Sequence, residues 1–160
     1  MESRPREDWT ISYANYYGNE GLQPVQQPRF FQNFYTHFEG LPSWKFTLGF
    51  DYGIQAGLIR PVDYWQGATL SVRKTLGERL ALAGRLEQYA DPAGTILVDP
   101  NRLSGYSLNL DYRTSAQSLF RIEYRQLASD RPSFLLPDAG VSRFNSALTA
   151  SFSLFFGEGF

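Results

Sequence analysis

Cysteine is absent from this 160-residue chain, which excludes a disulfide framework and any thiolate metal centre. Histidine occurs once, as His37, so no imidazole-rich metal site can be assembled either. No run approaches the roughly 18 consecutive apolar residues that a membrane-spanning helix requires. Mean hydropathy is slightly negative at -0.34. Excess charge of either sign is lacking too: the net charge is -1, and the basic residues, nearly all Arg, are scattered rather than gathered into the patch that a phosphate backbone demands. Nucleic acid is therefore not an expected partner. The first eight residues hold Arg4 and Arg6 without an apolar core behind them, so no signal peptide is recognisable. The expectation is that residues 1–8 form a disordered or periplasmic segment and that the front of an exported precursor is missing.

What the chain does have is aromatic residues, at 16%, and a strict period of two. From Trp44 to Ile54 every even-numbered residue is large and apolar or aromatic, while the odd positions carry Lys45, Thr47, Gly49, Asp51 and Gly53. Successive side chains of a strand point to opposite faces, so this run has one apolar and one polar face. A strand of about 9 to 11 residues crossing a bilayer, with lipid on one side and a wet lumen on the other, needs that pattern. Only half of such residues touch lipid, so a barrel of them has the mean hydropathy of a water-soluble protein.

Alternation bounded by Gly, Pro, Asn and Asp predicts strands over 9–17, 30–38, 44–54, 64–73, 80–89, 106–113, 120–125 and 148–156. No stretch shows helical periodicity. The connections alternate as well, long near 18–28, 56–63, 90–103 and 127–143 and tight near 39–42, 74–78 and 114–117. Outer-membrane meanders place long loops outside the cell and short turns in the periplasm, so both termini belong on the periplasmic side and the strand count is even. The fold expected is all-β, an antiparallel up-and-down transmembrane β-barrel of about eight strands in one domain, 1–160.

A soluble lipocalin-like barrel shows the same period with its apolar face turned inward. Three features favour the membrane version. The polar parity carries opposite charges in alternation, Lys45, Asp51, Arg73, Arg85, Glu87, Asp111, Arg113, Arg121, Glu123 and Arg125, which are the expected pore-lining residues together with Trp65 and Tyr89. Aromatics such as Trp9, Trp44, Tyr52, Tyr64, Tyr112 and Tyr124 gather toward strand ends, as girdles at the headgroup level do. The last strand carries Phe152, Leu154 and Phe156 on one parity with the terminal Phe160, a pattern expected to engage the outer-membrane assembly machinery.

Several blocks resemble one family. Tyr64-Trp65-Gln66-Gly67-Ala68, then Arg85-Leu86-Glu87-Gln88-Tyr89-Ala90-Asp91-Pro92-Ala93-Gly94, are similar to the WWGA and RGEYF-DP-G pattern of OmpL-like β-barrel porins. Phe46 to Gln55, Leu108 to Arg113 and Phe120 to Arg125 resemble the strands of the same family, and the likeness covers roughly 30–156. The resemblance implies a bacterial outer-membrane channel for passive diffusion of small hydrophilic solutes or ions, with no cofactor. Those proteins are longer and this chain matches their C-terminal portion. It is then either the closing part of a larger barrel or a compact relative closing on eight strands, in which the expected inward side chains would fill much of the lumen.

An Arg majority on the fifth to seventh strands would favour anions. The plainer alternative is that these charges satisfy one another. Enzymatic chemistry is not expected. His37 has no compelling Ser or Asp partner at sequence spacing, and Glu87 and Glu123 alternate with Arg, which opposes a general-acid role. Asp91, Asp99, Asp130 and Asp138 could bind calcium, but Asp-Pro turns explain them more simply. The apolar triplet Phe134-Leu135-Leu136 in the 129–142 loop either covers the barrel mouth or meets a partner. Lipid is the expected surrounding medium, self-association into a homo-oligomer is left open, and a small nonconducting structural or adhesion barrel is the competing function.

Overall fold

A computed structural model describes residues 1–20, 26–57, 61–97 and 99–156. These residues contain no helix and form a meander of long strands: β1 (Glu2–Arg6), β2 (Trp9–Glu20), β3 (Gln27–Leu41), β4 (Trp44–Ala56), β5 (Val62–Leu76), β6 (Leu80–Asp91), β7 (Asn101–Ser115) and β8 (Ser118–Ser129). A short pair, β9 (Phe134–Leu135) and β10 (Val141–Ser142), interrupts the last connection before β11 (Phe144–Leu154). The main sheet has the order β1-β2-β3-β4-β5-β6-β7-β8-β11, each strand antiparallel to the next.

The eight expected strands are all present and mostly longer, because the ladders run past the alternating stretches into the loops. One expectation is corrected at the N-terminus. Within residues 1–8, Glu2 pairs with Ser12, Ser3 with Ile11 and Arg6 with Trp9, so this segment is an edge strand rather than disordered chain. Backbone pairing to β2 does not need the apolar alternation that the sequence lacks there.

Tight turns join β1 to β2, β3 to β4, β5 to β6 and β7 to β8; long connections join the other pairs. The turn chemistry is local. Ser43 takes φ 66° between Leu41 and Trp44, and Gly77 takes φ 71° between β5 and β6, the left-handed conformation that lets a chain reverse in few residues. At the opposite end Asp91 closes the long β6–β7 connection on itself. Its carboxylate accepts the N–H groups of Thr95, Ile96 and Leu97 at 2.9, 2.7 and 2.9 Å, so Asp91 shapes a turn rather than offering its oxygens to a metal.

A hydrogen-bonding row starting beside the β3–β4 turn, at Phe38 and Phe46, runs through Val72, Gly84 and Leu108 to Tyr124 and Leu148, halfway along β8 and β11. That progressive stagger is the shear by which strands tilt against a barrel axis. The sheet nevertheless remains open among the described residues: no ladder joins β1 to β11.

Burial decides which face is inside. Asp111 and Ser107 are each 1% exposed, whereas Leu108 is 62% exposed and Leu148 76%. Leu48, Leu82, Leu110 and Phe152 are likewise exposed and share no dry centre. A water-soluble sheet with this inversion would forfeit its main stabilisation, since it leaves apolar surface in water and buries charge. In lipid the same arrangement is stable, because the apolar wall meets acyl chains and every interior backbone group is bonded between strands.

Candidate functional site

The expected pore-lining residues share one face in register. Lys45 stands opposite Arg73, Asp51 opposite Gly67, Arg85 opposite Ser107, Asp111 opposite Arg121, and Ser107 in turn opposite Arg125. The structure gathers seven of them into two clusters. In the first, Asp111 on β7 accepts Arg121 of β8 through two bonds, Nε to Oδ1 at 2.5 Å and Nη2 to Oδ2 at 2.8 Å, and also Arg73 of β5. In the second, Arg125 donates to Glu87 Oε1 from Nε at 3.1 Å and Nη2 at 2.5 Å, while Arg85 lies 3.7 Å from both Glu87 and Glu123.

Small residues between the charges make these reaches feasible. Arg73 meets Asp111 across β6, where the intervening lumen-side residues are Ala81 and Ala83. Arg125 meets Glu87 across β7, where they are Ser107 and Gly105. A Cβ on Gly105 would lie 2.8 Å from Glu87 Oε1 and 2.6 Å from Leu127 Cδ2, so the glycine is what leaves room for this contact.

The remaining expected residues stand apart. Asp51 accepts Asn33 Nδ2 at 2.7 Å, Lys45 bonds Glu39 at 2.8 Å near the short-turn end, and Arg113, at the same end of β7, forms no ion pair among the described residues. The sequence places Asn33 inward with Tyr35 and His37, and Asn33 does meet Asp51; it does not single out Glu39, Arg29 and Gln55 as wall residues, although all share the lumen parity. Their stretches are so rich in aromatics and amides that the alternation is faint.

His37 is better supplied than its sequence neighbourhood suggests. Its Nδ1 lies 2.9 Å from Thr47 Oγ1 and its Nε2 2.5 Å from Glu39 Oε1. A hydroxyl, an imidazole and a carboxylate in line resemble the arrangement of an acyl-transfer site. Thr47, however, sits inside β4, paired to His37 on one side and Ser71 on the other, so neighbouring backbone N–H groups are spent in the ladders and none remains as an oxyanion donor.

Toward the long loops the wall turns aromatic. Trp65, 5% exposed, lies over Gly53, stacks on Phe31 at 6.5 Å between centroids, and carries the Arg29 guanidinium 5.1 Å from its ring. A Cβ at Gly53 would stand 2.0 Å from the indole, so ring and glycine interlock. Arg29 Nε also donates to Gln55 Oε1 at 2.7 Å. On the outer face the single lysine, Lys74, places its ammonium 4.3 Å from the Trp44 ring near the short turns, the posture of a cation snorkelling along an interfacial aromatic.

The expected C-terminal signal at Phe160 lies outside the described residues, whereas Phe152 and Leu154 do face outward with Phe120 and Ser118 as partners. In the 129–142 loop, Leu135 and Leu136 are exposed, while Ser133 anchors the base of the hairpin through Asn101 Nδ2 at 2.7 Å. Among the described residues no group of His, Asp and Glu is arranged to hold a metal.

The family model described as "Putative beta-barrel porin-2, OmpL-like" matches residues 2–156. No curated protein and no solved structure matches the chain. With an all-antiparallel meander, an apolar outer wall and a charged inner one, and with a family match over nearly its whole length, the chain belongs to the OmpL-like β-barrel porins of the outer membrane.

Proposed function

We propose that this chain forms the wall of a passive pore through which small hydrophilic solutes or ions cross the bacterial outer membrane. The observation carrying this reading is the inversion of burial, with Asp111 at 1% exposure and Leu108 at 62%. A lipid-facing apolar surface backed by a polar, hydrogen-bonding one is what a conduit requires and what a soluble ligand-binding barrel reverses. The wall is read as non-catalytic, with outer-membrane lipid as the partner of the outer face.

Selectivity by charge sign should be weak. Of the arginines that could favour anions, Arg85, Arg121 and Arg125 face Glu87, Asp111 and Glu123 at close range, and Arg113 forms no ion pair among the described residues. Mutual satisfaction is therefore the better account of this wall than an anion filter.

The directions of the edge strands support a barrel larger than eight strands. β1 and β11 both run opposite to β2 and β8, hence parallel to each other, and pairing them directly would break the antiparallel rule of such barrels. We take the chain as the C-terminal part of a longer porin whose further strands complete the wall. Reconstitution into liposomes tests the function. Swelling in isotonic solutions of small sugars and salts, at rates falling with solute size, is expected. Folded protein that leaves vesicles impermeable would instead favour a nonconducting envelope module.

A further inference from the structure

We infer that a depression in the lumen wall of β4 to β8 is a binding subsite for a single uncharged, sugar-sized polyhydroxylated solute. This rests on the pore reading above and adds to it the class of solute the wall retains. The depression, of about 270 Å³, exists because two neighbouring lumen-side positions, Gly49 and Gly67, bring no side chain. Gly49 faces Thr69, and Gly67 stands between Asp51 and Tyr89.

Around that floor the chemistry is two-sided. The Tyr89 ring with Leu103 and Leu127 supplies an apolar flank; Asp51, Glu87 and Arg125 supply a polar one. A cyclic polyol has the same division, with C–H groups on its faces and hydroxyls at its edge. An inorganic ion has no use for the apolar flank, and a hydrocarbon none for the carboxylates.

Acceptor capacity is left over at the right places. Asp51 uses Oδ1 for Asn33, and Glu87 uses Oε1 for Arg125, so Asp51 Oδ2 and Glu87 Oε2 accept no hydrogen bond among the described residues. Solute hydroxyls can donate to both. Tyr89, one of the lining residues, has a buried hydroxyl without a hydrogen-bond partner among the described residues, and so have Ser107 Oγ and Asn109 Oδ1 on the same lumen-side parity. A native wall tolerates such orphans when water or a ligand completes them, since each costs about 1–3 kcal/mol otherwise. The depression is lined by two carboxylates, Asp51 and Glu87, and one guanidinium, Arg125, with Arg85 3.7 Å from Glu87, and the hold on an uncharged solute is by hydrogen bonds and ring contact.

The test is calorimetric titration of the folded protein in detergent with D-glucose, and in parallel with sodium gluconate and glucosamine hydrochloride. Saturable glucose binding is expected. Asp51→Ala should weaken it about tenfold, the effect of removing a hydrogen bond to a charged acceptor. Gly67→Val, which fills the floor, should abolish it, and Arg4→Gln, exposed on β1 and outside the strands that line the depression, should leave it unchanged. Gly67→Ala serves if the valine variant folds poorly, because its Cβ meets nothing closer than 3.5 Å. Glucose binding that is absent, that ignores both Asp51 and Gly67, or that is surpassed by either charged analogue overturns the inference. Ion conductance in planar bilayers is read on the same samples. Current without glucose binding removes the subsite and leaves the pore; binding without current does the reverse.

Discussion

At the residue scale, the buried carboxylate of Asp111 is the keystone of the wall. It is 2% exposed as a side chain and accepts Arg73 and Arg121 together. Replacing it with Ala leaves two guanidiniums facing each other without an acceptor. Both keep a third or more of their surface accessible, at 33% and 40%, so lumen water softens the loss below that of a dry buried pair. Asp111→Ala should cost about 2 kcal/mol. It should lower the urea midpoint of the detergent-folded protein, with Asp111→Asn intermediate. A midpoint unchanged in both would mean that solvent already screens the triad. Glycines give a second residue-scale prediction, because two that look alike in sequence differ in what they face. Gly53→Ala drives a methyl into the Trp65 ring and should destabilise by about 1–3 kcal/mol. Gly67→Ala meets Tyr89 Cδ2 at 3.5 Å, an ordinary contact, and should be close to neutral; equal effects would refute the interlock.

At the element scale the governing fact is parity, and it was the most legible part of the sequence. Each strand that faces lipid on one side and water on the other must alternate, so the shared parity of the residues from Lys45 to Arg125 could be read off, and the register puts them on one face. What resisted reading were elements whose cause is not alternation. β1 is held by ladder bonds to β2 and by its own turn, and β9 and β10 by the tie from Asn101 to Ser133; neither leaves a periodic mark. The Thr47 and Glu39 contacts of His37 were hidden for another reason: one partner is across a strand pair, and the other lies two residues away in a run whose phase was blurred by aromatics. Parity yields its own test in β11. Leu148 points outward and Thr149 inward, opposite Tyr124 and Glu123 respectively. Leu148→Arg should cost about 2–4 kcal/mol of folding into lipid vesicles. Thr149→Arg, one residue on, should fold normally beside Glu123. Comparable yields for the two variants, followed by protease protection, would contradict the assignment of faces.

At the scale of the whole molecule, sequence alone left open whether eight strands close on themselves or form part of a larger wall, and edge direction is what bears on it. If the barrel closed by setting β11 against β2, β1 would have to leave its place, because β2 has only one free edge and β1 occupies its Trp9 to Ser12 portion. The two arrangements therefore differ in a single measurable contact. The chain has no cysteine, so an introduced pair reports without background. Ser3 and Ile11 are register partners on β1 and β2, and adjacent antiparallel positions lie within the roughly 4.4–6.8 Å Cα separation that a disulfide spans. The double variant Ser3→Cys, Ile11→Cys, folded into vesicles and mildly oxidised, should form the bond efficiently. A control pairing Ser3→Cys with Ser151→Cys should not, since β11 is the opposite edge of the sheet. Failure of the first pair in protein that is folded by circular dichroism would mean that β1 has been displaced and that the eight long strands close alone. The charges spanning β6 and β7 would then stand in a lumen only wide enough for side chains, and conduction would be lost with it.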